Sequence, residues 1–185
     1  MNAADIPAVN RRLRTAFATA QAPVTELAAA QTEDPFRVLV GAIISARTRD
    51  ACTAAACRRL FARAATPAEL GRLDVDEIER LIYPAGFFRA KARLLKRLPA
   101  VLEERFGGRL PRTVEELCLL PGVGRKTASL VVAIGFRRPA ISVDVHVHRI
   151  SNRLGLVRTR TPLQTEMALR RLLPARLWRT WNTYL

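Results

Sequence analysis

Residues 35–47, PFRVLVGAIISAR, are apolar on nearly every side of a helical wheel, and such a helix sits buried at the centre of its fold. This stretch gives the chain a central helix, and the segments around it read as further helices. Residues 49–64 alternate small residues with Arg58, Arg59 and Arg63, while Thr66, Pro67 and Glu69 read as a helix start ahead of a short amphipathic piece over 75–81. Residues 89–106 form a long amphipathic run that Pro99 is expected to kink or split and that Gly107 and Gly108 end. Thr113-Val114-Glu115-Glu116 reads as a capping box, with the Thr113 hydroxyl accepting from the third helical amide and Glu116 reaching back. Further helices are expected over 126–136 and 145–154, after a cap at Thr161, and over 177–185. The alternating stretch ISVDVHVH (141–148) has no partner strand and reads as a turn into a helix. The predicted fold class is all-α.

Charge narrows the partner. Thirty-one Lys+Arg stand against sixteen Asp+Glu, a net charge of +15 and a pI near 11.5, a balance suited to a polyanion. From Leu117 to Thr165 the only acid is Asp144, set among eight cations. Only three cations are lysines, Lys91, Lys96 and Lys126. Arginine keeps its proton and cannot serve as an amine nucleophile, so each lysine raises a chemical question. No apolar run approaches the ~20 residues of a membrane span. Asp5, Arg11, Arg12, Arg14 and Glu26 interrupt the first thirty residues and argue against a signal peptide. Cys52, Cys57 and Cys118 form no CxxC pair, which excludes a disulfide scaffold and a four-cysteine metal site and fits a reducing cytoplasm.

The nine residues LPGVGRKTA (120–128) concentrate the chemistry. Pro121, Gly122 and Gly124 make a tight turn between helices, and such a turn aims backbone amides at the positive end of the next helix, where a phosphate fits. Lys126 follows beside Arg125, where a lysine amine can serve as a nucleophile or contact a phosphate. Asp144 reads as the N-cap of the helix beginning at Val145. Asp144, His146 and His148 also suggest a metal triplet, but ligands two apart at a helix start do not converge.

These residues closely resemble the helix–hairpin–helix DNA repair glycosylases, and among them the endonuclease III family, bifunctional glycosylases and abasic-site lyases for oxidised pyrimidines. The resemblance runs from about Pro35 to the C-terminus. It includes the LPGVGRKTA hairpin, the Val143-Asp144-x-His146-x-x-Arg149 segment eighteen positions beyond Lys126, the helix over 35–46 with Thr48 and Asp50 after it, and the Gly86…Lys91-Ala92 turn. It implies two helical lobes with a DNA cleft between them, a bundle lobe over 35–138 and a second lobe from 1–34 plus 139–185. Lys126 is expected to attack C1′ of the damaged nucleotide and form a Schiff base. Asp144 is expected to assist it and to stabilise positive charge on the sugar. Gly122, Val123 and Gly124, with Arg125 beside them, are expected to hold a phosphate. Phe87 falls where relatives insert an apolar wedge, Arg47 where many carry glutamine, and Arg89 and His146 complete the expected DNA contacts.

The resemblance further implies double-stranded DNA with damaged bases or abasic sites as partner, a monomer, and a cytoplasmic, nucleoid-associated location in a bacterium or archaeon. It implies a [4Fe-4S] cluster, but the four cysteines of the cluster loop are absent from this sequence. Residues 177–185 end on Trp178, Trp181, Tyr184 and Leu185 with no polar tail, so these side chains are expected to be unspent and the chain cut short before that loop. Two alternatives are a glycosylase for mismatched thymine or alkylated bases and a non-catalytic helix–hairpin–helix DNA-binding module.

Overall fold

The computed structural model describes residues 5–19 and 34–185, in which helices are joined by turns and no strand occurs among the described residues. They group into two compact units, one drawn from both ends of the chain and one from its middle, divided between Arg137 and Arg138. Residues 1–4 and 20–33 of the expected second lobe, Glu26 with them, lie outside the described residues.

The middle unit is organised around α2 (Pro35–Ser45). Asp34 caps it by accepting from the Arg37 amide at 2.9 Å, Pro35 occupies its first turn, and every residue from Val38 to Ser45 is buried. Against it lie α3 (Asp50–Arg63), α6 (Phe88–Phe106), α8 (Arg125–Leu130) and the π-helical turn Val131–Gly135 that prolongs α8. Gly135 is required at that contact, because a Cβ there would come within 2.7 Å of the Pro35 Cα. The short helices α4 (Pro67–Arg72) and α5 (Val75–Ile82) pack on α6 through Leu70, Ile78 and Ile82, all fully buried, and α7 (Val114–Leu117) packs on α8. Each fully buried leucine or isoleucine contributes about 1.5–3 kcal/mol of transfer free energy, so the apolar faces hold this unit together.

Two local expectations need correction. Pro99 does not split α6, which runs unbroken for 19 residues; the proline costs the helix one backbone hydrogen bond, and a Cβ on Gly71 of α4 would lie 3.4 Å from the Pro99 ring. At α7, Glu116 donates its amide to the Thr113 hydroxyl at 3.2 Å as expected, yet the Glu116 carboxylate accepts from that hydroxyl at 2.7 Å instead of from the Thr113 backbone. The reciprocal capping box is found at α4, where Glu69 accepts from the Thr66 amide and the Thr66 hydroxyl accepts from the Glu69 amide.

The second unit comprises α1 (Ile6–Thr19), α9 (Val145–Arg153), α10 (Pro162–Leu172) and α11 (Ala175–Tyr184). Its core gathers Ile6, Ile141, Val143, Val147, Leu156, Val157, Leu169, Leu173 and Trp181. Here the expected exposure of the terminal aromatic residues is overturned. Trp181 is fully buried, Trp178, Leu177 and Leu185 pack against the same cluster, and the Trp178 indole donates to the Leu173 carbonyl at 2.9 Å. The apolar face of 177–185 is spent on a cluster that includes Ile6 from the other end of the chain, a partner too distant in sequence for local patterning to reveal. No described helix is long and apolar enough to cross a membrane.

Candidate active site

The hairpin is built as the sequence suggests, though its two glycines serve different needs. Gly122 lies at φ +75°, in the left-handed region that glycine alone enters without cost, and its bare face is turned to Leu94, whose Cδ1 would sit 2.8 Å from a Cβ. Gly124 has an ordinary φ of −88° and caps α8, and a Cβ there would meet nothing within 4 Å. Of the two hairpin glycines, only Gly124 leaves open space where a Cβ would be. Val123 is buried beneath the turn and donates its amide to the Leu120 carbonyl at 3.2 Å. Lys126, half-buried, occupies the first turn of α8. Arg125 is engaged by Glu115 of α7 at 3.3 Å.

In the second unit Asp144 is the N-cap of α9. One oxygen, Oδ1, accepts from the amides of His146 and Val147, each at 2.9 Å. His146 is exposed on the first turn. The helix is fixed farther along by a polar network: His148 Nδ1 lies 2.6 Å from the Thr165 hydroxyl, and Asn152 donates to the Thr159 hydroxyl and accepts from the Thr159 amide. Asp144 accepts from backbone amides and the His148 ring meets Thr165, and no grouping of three or more His, Cys, Asp or Glu able to hold a metal occurs among the described residues.

Arg47 and Phe87 come together in the middle unit. Both are exposed, both adopt left-handed backbone (φ 53° and 56°), and the Arg47 guanidinium stacks on the Phe87 ring at 5.6 Å. Non-glycine residues in that region cost about 1–2 kcal/mol each, so neighbouring structure must impose them. Phe87 is 64% exposed, which excludes a core role. Arg89 instead stacks on Phe88 and approaches Glu79 at 3.9 Å.

Lys91 and Lys96 have partners that local patterning does not reveal. Lys91 Nζ donates to the carbonyls of Ile44 and Ala46, each at 2.6 Å, and to the Thr48 hydroxyl at 2.9 Å. Lys96 Nζ donates to the carbonyls of Gly71 and Leu73 at 2.9 and 2.6 Å. Each ammonium satisfies orphan carbonyls at a helix end, α2 and α4 respectively, where the helix dipole favours a cation. Burial pulls the Lys91 amine below the usual lysine range.

A [4Fe-4S] cluster finds no fitting donors here. The three cysteines are free thiols in the middle unit, and burial raises the Cys57 thiol to about 11, the opposite of what a thiolate ligand requires.

Comparison with known proteins agrees with this geometry. The family model described as "HhH-GPD superfamily base excision DNA repair protein" matches residues 40–175. Endonuclease III of Thermotoga maritima is 51% identical over 145 residues, covering 78% of this chain and 68% of that protein. Endonuclease III-like protein 1 of Bos taurus is 39% identical over 181 residues, covering 92% of this chain but 59% of its own length. The solved structure of a trapped endonuclease III–DNA covalent intermediate superposes with a TM-score of 0.84 at 33% identity, over 100% of this chain and 84% of that one. With its all-helical units, glycine hairpin and Lys126–Asp144 spacing, the chain belongs to the HhH-GPD superfamily of base excision DNA repair proteins and, within it, to the endonuclease III family.

Proposed function

We propose that the protein excises oxidised pyrimidines from duplex DNA and cleaves the strand at the resulting abasic site, with Lys126 as nucleophile and Asp144 as its carboxylate partner. One observation carries the assignment: Lys126 stands, half-buried, in the first turn of α8 directly after the Gly122–Gly124 hairpin. The Gly124 side of that hairpin offers a phosphate an approach unobstructed by a Cβ.

The chemistry proceeds in balanced steps. The damaged nucleotide leaves the stack, and the Lys126 amine, freed of its proton, attacks C1′ as the C1′–N bond breaks and the base departs with a proton. Asp144 stabilises the positive charge that develops on the sugar. Opening of the sugar ring leaves a Schiff base between Nζ and C1′. Loss of a C2′ proton then expels the 3′ phosphate by β-elimination, and water hydrolyses the imine to return the amine. No step passes through a metal cluster. The protein acts on damaged or abasic double-stranded DNA as a cytoplasmic monomer.

Borohydride trapping tests this. On a duplex with one oxidised pyrimidine, wild type should give a covalent protein–DNA band and Lys126→Gln none, while a mismatched thymine or alkylated base gives none with either. Binding without strand cleavage by the folded wild type would leave a DNA-binding module. Trapping confined to mismatched thymine or alkylated bases would move the protein to the other glycosylase branch.

A further inference from the structure

The Lys91 side chain is unusual in being a buried cation, 5% exposed, whose hydrogen bonds go to neutral oxygens. An ammonium carries three donors, and here three acceptors from the end of α2 converge on it in a geometry that a planar guanidinium does not match. This accounts for a lysine in a chain that elsewhere settles on arginine.

What those acceptors belong to matters more. Ile44, Ala46 and Thr48 form the turn that carries Arg47. Thr48 Oγ1 also accepts from the Gly86 amide at 3.0 Å, in the turn that carries Phe87, while donating weakly to the Ala46 carbonyl at 3.4 Å. Its one donor and two acceptor positions are therefore all used. The backbone amide of Lys91 in turn donates to the Phe87 carbonyl at 3.1 Å. A single residue thus grips the first loop through its side chain and the second through its main chain. The loops touch so closely that a Cβ on Gly86 would lie 2.3 Å from the Arg47 carbonyl oxygen. Arg59 adds a second tether, donating Nε to the Leu81 carbonyl at 2.8 Å and Nη2 to that of Tyr83.

We propose that Lys91 is a positioning residue for strand opening: its ammonium and its amide lock together the two loops that present Arg47 and Phe87 to the duplex. This rests on the function proposed above and on reading the stacked Arg47–Phe87 pair as the group that enters the base stack. Neither side chain has a burial site of its own to hold it, so their fixed left-handed backbones depend on the polar cluster beneath. Lys91 touches no reacting atom, and its contribution appears only where a duplex must be opened.

The test compares wild type with Lys91→Met and Thr48→Val on two substrates. One is a duplex bearing an oxidised pyrimidine next to 2-aminopurine, which reports unstacking. The other is a single-stranded oligonucleotide with an abasic site, which needs no insertion. Both variants should lose tenfold or more of the single-turnover rate and of the fluorescence rise on the duplex, the order of loss expected when a reacting geometry slips by a fraction of an ångström. Borohydride trapping on the single strand should stay within about twofold of wild type. Equal loss on both substrates, or no loss on the duplex, overturns the proposal. If Lys91→Met does not fold, Thr48→Val decides alone, since it removes the shared acceptor and keeps the lysine; wild-type behaviour of a folded Thr48→Val then refutes it. If wild type itself traps neither substrate, the proposed function has failed first, and that outcome is distinct.

Discussion

Asp144 and Val147 are joined by a 2.9 Å hydrogen bond from the Val147 amide to Oδ1, the same oxygen that receives the His146 amide, so the carboxylate assigned to chemistry also starts α9. The two duties separate by mutation. Asparagine caps a helix about as well as aspartate, so Asp144→Asn should leave the melting temperature near wild type while strand cleavage falls by at least tenfold through loss of charge. Asp144→Ala should lose the cap as well, costing about 1 kcal/mol in stability. Thermal melts beside single-turnover cleavage distinguish the pair; equal activity of Asp144→Asn and wild type would remove the carboxylate from the mechanism.

The two hairpin glycines should respond oppositely. Gly122→Ala meets both a left-handed φ and the Leu94 side chain, so it should cost about 2–4 kcal/mol of stability. Gly124→Ala enters open space at an ordinary φ and should stay within about 1 kcal/mol of wild type. Its methyl group projects where a phosphate is proposed to sit, so DNA affinity should drop while the fold persists. Denaturant unfolding and a binding isotherm at fixed salt read the two effects.

Cys57 offers a test at alkaline pH. Burial holds its thiol protonated up to about 11, whereas the unfolded chain releases the proton near 9.0. Between those values the native state binds more protons than the unfolded state, so stability from this group is complete below pH 9 and falls as pH rises, by about 2 kcal/mol at pH 11. Lys91 acts with the opposite sign: its lowered amine sheds a proton in the native state first, and stability from it rises toward the unfolded lysine value of 10.5. Cys57→Ala should therefore convert a falling stability curve between pH 9 and 11 into a flat or rising one. At pH 8, alkylation of native protein should modify the half-buried Cys52 and Cys118 and spare Cys57 until denaturant is added.

What could be read from sequence was local. The hairpin, the caps at Thr66, Thr113, Asp144 and Thr161, and the wholly apolar α2 each announce themselves within a few residues, because capping and helical periodicity act over one or two turns. What escaped was long-range. The acceptors of Lys91 lie 43 to 47 residues away in sequence, and those of Lys96 lie 23 and 25 away. Trp181 is buried in one cluster with Ile6, from the other end of the chain. Pro99 looked like a break because its cost is local, while the packing of α4 on α6 that supports the helix is tertiary. The stacking of Arg47 on Phe87 belongs to the same class: each position was legible, but their contact depends on two loops meeting.

Phe87 provides the sharpest separation of stability from function. A buried phenylalanine truncated to a small residue costs about 3–5 kcal/mol. Phe87 is exposed and holds a left-handed backbone that glycine adopts freely. For Phe87→Gly, relief of about 1–2 kcal/mol of backbone cost is set against greater freedom in the unfolded chain and loss of the Arg47 stack, which together cost about as much. Stability should thus stay within about 1 kcal/mol of wild type. Cleavage of a duplex containing an oxidised pyrimidine should fall tenfold or more, since the apolar half of the Arg47–Phe87 pair is no longer there to enter the stack when the nucleotide leaves. Phe87→Leu should keep most of that activity, because an apolar wedge of similar reach survives. Unfolding free energies and single-turnover rates for the two variants check both halves, and a duplex rate for Phe87→Gly equal to that of wild type would mean that another side chain enters the helix.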